Sequence, residues 1–249
     1  MGAARPIFGF LGLALLAAGV VLQLFVILSG TTAGTPTDLS YFLEASTTGV
    51  DGARNPSRWV YWGICGANGI RNVDCGALVP AHPFDPVRNF GTESNIPEQF
   101  VGTNRFYLMS RFSWVFFLVA LVFAAFALMT GILALCTRLG AYISGFNAMV
   151  ALVFQILAAA LMTAWSVEAR NIYRSNNQDA NLGRYGYGFT WGAVAAFMLS
   201  TVLFCIGGSV GGSDKHTSGK SRFGRKRSTR SRGSFVDSES GRRVKDDYA

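Results

Sequence analysis

The sequence predicts an all-α membrane protein: a four-transmembrane-helix bundle that carries a small disulfide-pinned extracellular β-sheet. Three observations lead there. Half of the 249 residues are hydrophobic and only 14% are charged, against about a quarter in a soluble domain. The shortfall falls in four blocks. No Asp, Glu, Lys or Arg occurs between Arg5 and Asp38, Arg111 and Arg138, Arg138 and Glu168, or Arg184 and Asp214. Finally, Cys65 and Cys75 lie close together in a long loop rich in aromatic residues and glycine.

Each charge-free block holds the roughly 20 apolar residues that a bilayer core requires. The expected spans are Ile7–Ser29, Phe112–Cys136, Ala141–Trp165 and Tyr187–Val210. Four buried helices of a soluble domain would be amphipathic and shorter. The first block could also be read as a signal peptide. It exceeds the usual apolar length of about 7–15 residues, and no A-x-A-like site follows in SGTTAGTPTD. A retained helix is the better reading. MGAARP is not a myristoylation signal, because Pro6 stands where Ser or Thr is needed.

Basic residues set the orientation. The tail, 211–249, carries eleven Lys/Arg against five Asp/Glu, so it is expected in the cytoplasm. Four spans then place both termini there. The short connection TRLG, with Arg138, is cytoplasmic too. The 167–186 loop opposes this: it carries Arg170, Arg174 and Arg184 against Glu168 and Asp179, yet falls outside. The expected domains are a membrane unit, 1–210, which includes the extracellular 30–111 loop, and a disordered basic tail, 211–249.

Within that loop, YFLEASTTGV (41–50) and RWVYWGIC (58–65) read as strands, and GANGIRN as a turn back to Cys75. PAHPFDP reads as an extended polyproline-type arm across the sheet. Outside the cell a Cys65–Cys75 disulfide persists. The rival is a zinc site, for which His82 is the sole further ligand nearby and the spacing is not C-x-x-C. Trp59, Tyr61 and Trp62 either fill the sheet–bundle interface or form a platform for neighbours or wall polymer. Cys136 and Cys205 fall near cytoplasmic helix ends, as inert thiols or palmitoylation sites.

These residues resemble known proteins. Trp62-Gly63-Ile64-Cys65 followed by Cys75 is similar to the claudin pattern W-G-x-W-x-x-C…C in reduced form, without its second tryptophan and spacer. The closer resemblance is to the fungal Sur-seven/PalI family of four-span plasma-membrane proteins. It is carried by FLEASTTG, RWVYWGICGANGIRNVDCG, LVPAHPFDPVRNF, FYLMSRFSWVFF and ARNIYRSNNQDANLGRYGYGFTW, in that order. Its motif positions here are Trp59, Trp62, Gly63, Cys65, Cys75, Pro80, Pro83, Asp85 and Pro86. The resemblance implies a claudin-like fold and an organiser of eisosome-type membrane domains. It also implies links to cell-wall integrity, endocytosis and sphingolipid balance, with self-association and eisosome proteins as partners. The alternative it offers is a PalI-type accessory protein in ambient-pH signalling. The proline arm and the RNIY…NLG loop favour the first.

No ionisable residue lies within a span, which disfavours a channel or transporter. Asn147 and Gln155 are expected to face the bundle and bond between helices. Gly188, Gly192 and Ala196, Ala120 and Ala124, and Ala14 and Ala18 have helix-packing spacing, within one chain or between copies. In the tail, KHTSGKSRFGRKRSTRSRGSF does not fold alone. Arg222, Arg225, Lys226, Arg227, Arg230 and Arg232 either dock on anionic inner-leaflet lipid or only fix topology. Phosphorylation at Ser221, Ser228, Thr229, Ser231 or Ser234 would cancel that charge. Nucleic acid is an unsuitable partner for a membrane-tethered segment. No H-E-x-x-H, P-loop, dinucleotide fingerprint or G-x-S-x-G occurs. Neither an enzyme nor a cofactor is expected.

Overall fold

A computed structural model describes residues 4–31, 34–135 and 137–209. The basic tail and Cys136 lie outside the described residues. Among the described residues four helices are long and apolar enough to cross a membrane: α1 (Ala4–Ile27), α3 (Arg105–Ala134), α4 (Arg138–Ser175) and α5 (Arg184–Ser209). A short helix, α2 (Pro86–Phe90), lies in the long loop. Around the bundle α1 packs on α3 and α5, and α4 packs on the same two.

The buried face of α3 runs Phe106, Ser110, Ser113, Phe117, Ala120, Ala124, Ala127, Gly131, Ala134. The steps alternate four and three, the 3.5-residue period that keeps one seam on a partner helix. On α4 the matching seam includes Ala141, Ser144, Ala148, Ala151, Gln155, Ala158 and Met162. Small residues face inward, while Phe112, Val122, Phe126 and Met129 face outward. That distribution suits a lipid solvent, where small side chains let backbones approach.

Each neighbouring pair of helices is also tied by a polar link. Gln23 Nε2 donates to Phe117 O at 2.7 Å (α1–α3). Ser144 Oγ donates to Ala127 O at 2.7 Å (α3–α4). Gln155 Nε2 donates to Thr190 O at 3.5 Å (α4–α5), and Ser200 Oγ to Gly12 O at 2.8 Å (α5–α1). Asn147 does not share this role: its Nδ2 bonds Ile143 O on its own helix. Ala14, Ala18 and Gly188 are exposed on the outer face. The close approach of α1 to α5 uses Gly19 instead, where a Cβ would stand 2.6 Å from the Phe197 ring.

One end of the bundle carries an antiparallel sheet of order β4-β3-β2-β1-β5. Its strands are β1 (Leu43–Ala45), β2 (Ser57–Val60), β3 (Gly63–Asn68), β4 (Arg71–Val73) and β5 (Ala180–Leu182). Three expectations are corrected here. The 41–50 strand is only three residues long, because Thr47 turns the chain. Its Oγ1 bonds Arg54 O and its amide bonds Asn55 Oδ1, a side-chain competitor to the ladder. The 58–65 segment is not one strand but a hairpin, with Val60 opposite Gly63 and Tyr61-Trp62 as the turn. The 80–86 segment is not an extended arm. It bends at Pro80-Ala81 and ends in α2, whose first turn Asp85 caps by accepting from Arg88 N at 3.2 Å.

The 167–186 segment also differs from a loop. Most of its first half continues α4, and β5 then joins the sheet beside β1. At about 1.5 Å per residue the 38 residues of α4 rise roughly 57 Å, nearly twice a hydrocarbon core of about 30 Å. The last turns therefore project from the apolar layer and serve as a post for the sheet.

Candidate functional site

The sheet is seated on the bundle by a continuous aromatic core. Trp59 on β2 meets Phe84 edge-on at 5.0 Å, and Phe84 stacks on Trp165 of α4 at 5.0 Å. Phe100 joins Phe84, Phe106 and Tyr173. Phe42 packs on Tyr61 at 4.4 Å. Such pairs add about 0.5–1.5 kcal/mol each beyond area burial.

Polar handles fix the orientation of these rings. Trp59 Nε1 donates to Asn89 Oδ1 at 3.3 Å. Trp62 Nε1 donates to Ile27 O at 2.7 Å and so satisfies a carbonyl at the end of α1. The Tyr61 hydroxyl lies 2.7 Å from Ser113 Oγ. Burial pushes the Tyr61 phenol well above its ordinary value, so it stays neutral. The structure thus brings Trp59, Tyr61 and Trp62 together in the sheet–bundle interface, not on an outward platform.

Cys65 and Cys75 are joined by a disulfide. Both sulfurs are consumed in that bond, so neither is a thiolate that could ligate zinc. Cys65 sits on β3 opposite Arg58 and is fully buried, while Cys75 follows β4. The bond closes the hairpin that turns at Gly69-Ile70. Beside it, Arg54 Nε donates to Asp74 Oδ2 at 2.8 Å. That hydrogen bond, with the guanidinium charge, lowers the Asp74 carboxyl below its usual value. Cys205 on α5 is an exposed free cysteine.

Arg58 is the charged centre of the cap, and only 4% exposed. Its Nε donates to Glu44 Oε2 at 2.6 Å, its Nη1 to Arg71 O at 2.9 Å and its Nη2 to Gly69 O at 2.7 Å. Its guanidinium also lies 4.4 Å from the Tyr41 ring centre. One side chain thereby ties β1, β2 and both sides of the β3–β4 turn.

Next to Arg58 the sheet edge, the end of α4 and the start of α5 enclose a cleft of about 900 Å³. Four arginines line it, Arg58, Arg170, Arg174 and Arg184, against one acid, Glu44. Sequence reasoning registered the last three only as a conflict with topology. Their meeting point depends on β5, whose three residues give little local signal. Pro80, Pro83 and Pro86 stand apart from this cleft. They lead Phe84 into the aromatic core, together with His82, whose amide donates to Tyr61 O at 2.9 Å.

A sequence profile described as the SUR7/PalI family matches residues 8–203. The chain is 35% identical over 205 residues to Protein SUR7 of Candida albicans, covering 82% of this chain and 75% of that protein. It is 32% identical over 190 residues to Protein SUR7 of Saccharomyces cerevisiae, covering 76% of this chain and 63% of the relative. A third relative, 30% identical over 202 residues, is described as an uncharacterized plasma membrane protein of Saccharomyces cerevisiae, with 79% of this chain and 67% of that protein covered. The chain thus spans between three fifths and three quarters of these relatives' lengths.

Proposed function

The chain belongs to the SUR7/PalI family, and from that premise we propose that it is a structural organiser of plasma-membrane domains of the eisosome type. In that role it supports cell-wall integrity, endocytosis and sphingolipid balance, and it self-associates or binds other eisosome proteins. Both termini lie in the cytoplasm, and the disulfide-closed sheet lies outside. The observation that carries this reading is that sheet and bundle share one core. Residues from the sheet (Leu43, Trp59, Ile64), the loop (Phe84, Phe100) and the helices (Phe117, Met162, Trp165) form a single buried cluster. A lateral assembler needs such a rigid body, and Gln23, Ser144, Gln155 and Ser200 bond one helix to the next.

The basic tail, through Arg222, Arg225, Lys226, Arg227, Arg230 and Arg232, docks on anionic inner-leaflet lipid at about 1 kcal/mol per residue near the surface. The deciding experiment images a fluorescent fusion in living cells. Static furrow-shaped patches are the expected result, and mobile, uniformly spread protein overturns the organiser reading. Among the described residues the pH-signalling alternative has one physical handle, His82. Burial, and secondarily the charge of Arg111, lowers its pKa.

A further inference from the structure

Two of the four cleft arginines hold the fold together and two do not. Arg58 is committed to Glu44 and to backbone carbonyls. Arg174 donates to Ala180 O at 2.8 Å and Asn181 Oδ1 at 3.1 Å, which braces β5. Arg170 bonds only its neighbour Asn171. The Arg184 side chain makes no hydrogen bond or ion pair among the described residues. It lies near enough to Tyr41 to act on that hydroxyl electrostatically. Three cationic groups thus face one cavity with no carboxylate partner of their own, at the first turn of α5. A helix N-terminus adds positive potential there.

Depth in the membrane narrows the ligand. Trp165 belongs to the buried core, and Arg170 follows it by just over one helical turn. Arg184 and Tyr185 open α5, which then enters the apolar layer. The cleft therefore stands at the headgroup level on the sheet-bearing side. Its walls are mixed: Ile70, Leu182 and Tyr185 join the arginines. From Tyr185 the rings continue to Phe189 at 6.2 Å and on to Phe25 at 5.5 Å, along the α1–α5 seam. A cationic cup above an apolar track matches an amphiphile better than a free ion.

We infer that this cleft binds the headgroup of an anionic phospholipid from the leaflet on the sheet-bearing side. Arg170 and Arg184 supply charge to the phosphodiester, and Tyr185 and Ile70 flank the glycerol region. This does not rest on the organiser role: it would hold for any four-span protein with this cap.

The test uses the full chain with the tail neutralised (R222Q, R225Q, K226Q, R227Q, R230Q, R232Q), so that tail-bound lipid does not count. The protein in detergent is offered equimolar phosphatidylglycerol and phosphatidylcholine, and retained lipid is read by native mass spectrometry. Preferential retention of phosphatidylglycerol is expected. R170Q/R184Q should reduce it by on the order of tenfold, and R184Q alone severalfold, while R170K/R184K keeps most of it. Neither residue braces the fold, so melting temperatures should agree. Equal retention of the two lipids, or unchanged phosphatidylglycerol on R170Q/R184Q, overturns the inference. Displacement of the lipid by millimolar inorganic phosphate overturns its lipid part and marks a free-anion site.

Discussion

The Tyr61 hydroxyl and Ser113 Oγ are 2.7 Å apart, and the same Ser113 donates to Ala158 O at 3.1 Å. One buried serine on α3 therefore joins the sheet to α4. Tyr61→Phe keeps the ring among Phe42 and Phe117 and removes only the link. It should cost about 1 kcal/mol, the net worth of a typical hydrogen bond. Ser113→Ala leaves a buried phenol without its partner and should cost more, about 1–3 kcal/mol. Thermal unfolding of the two variants checks the order. Equal melting temperatures for S113A and wild type would mean that the relay does not couple cap to bundle.

The staple gives a second prediction. Cys65 and Cys75 are ten positions apart in sequence. Loop-closure entropy for so short a ring gives just under 3 kcal/mol. Removing both cysteines should therefore lower the melting temperature without unfolding the helices. Peptide mapping without reductant should recover Cys65 and Cys75 linked. A reductant should act slowly, because Cys65 is fully buried.

The spans were legible because charge is the strongest signal a bilayer imposes. Their ends were not. Glu168, Arg170 and Arg174 end a hydropathy block but not a helix, so α4 runs on to Ser175. Ala120 and Ala124 were visible as a packing pair. The full seam on α3 is hidden in composition, because its Ser, Ala and Gly lie between larger apolar residues that face lipid. The aromatic turn Tyr61-Trp62 reads as strand because turns are usually marked by Gly or Asn. Here the packing of both rings against the bundle overrides that preference. The arginine cleft was out of reach, since it needs β5 to pair with β1 across 137 positions, Glu44 with Asn181.

His82 predicts a pH dependence. Its Nε2 lies 3.1 Å from Asn89 Nδ2, so it accepts there as neutral imidazole. Its folded pKa is below the ordinary 6.5, by burial first and by Arg111 second. An unfolded chain thus binds the proton more readily than the folded one. Stability should be fully present above about pH 6.5 and should fall as pH drops toward the lowered folded value. His82→Gln should flatten that slope in melting curves between pH 5 and pH 7 (about the range where free histidine titrates). An unchanged slope would assign the dependence to other groups.

Gly183 permits the closest backbone approach in the cap. A Cβ there would collide with the Tyr41 carbonyl oxygen, while the Gly183 amide donates to Phe42 O at 3.2 Å. The obstacle is backbone, not a side chain that can swing away. Gly183→Ala should therefore displace β5 from β1 and destabilise by more than about 2 kcal/mol, the range of overpacked sites. The cleft should open with it. Protease sensitivity at 176–183 is a suitable readout, and the helical signal of the bundle should persist.

Arg58 and Glu44 carry the last prediction. Their Nε–Oε2 distance is 2.6 Å, and the arginine side chain is only 5% exposed. Glu44 is partly wetted, at 19%, so the loss on breaking the pair should fall at or below the low end of the 3–5 kcal/mol seen for buried pairs. Lysine keeps the charge but not the fork. An ammonium cannot reach Glu44, Arg71 O and Gly69 O together in this geometry. Arg58→Lys should therefore destabilise nearly as much as Arg58→Met, which at least leaves no unpaired cation. Glu44→Gln should act differently. It removes the cleft's one acid and leaves Arg58 its carbonyl partners, so stability drops while the cleft becomes more cationic. Retention of phosphatidylglycerol should then rise in Glu44→Gln, fall in Arg58→Met and change little in Arg58→Lys. If all three variants lose stability and lipid in the same proportion, the cleft is only a by-product of the strut. If they diverge as stated, fold and ligand charge are separate uses of the same pair.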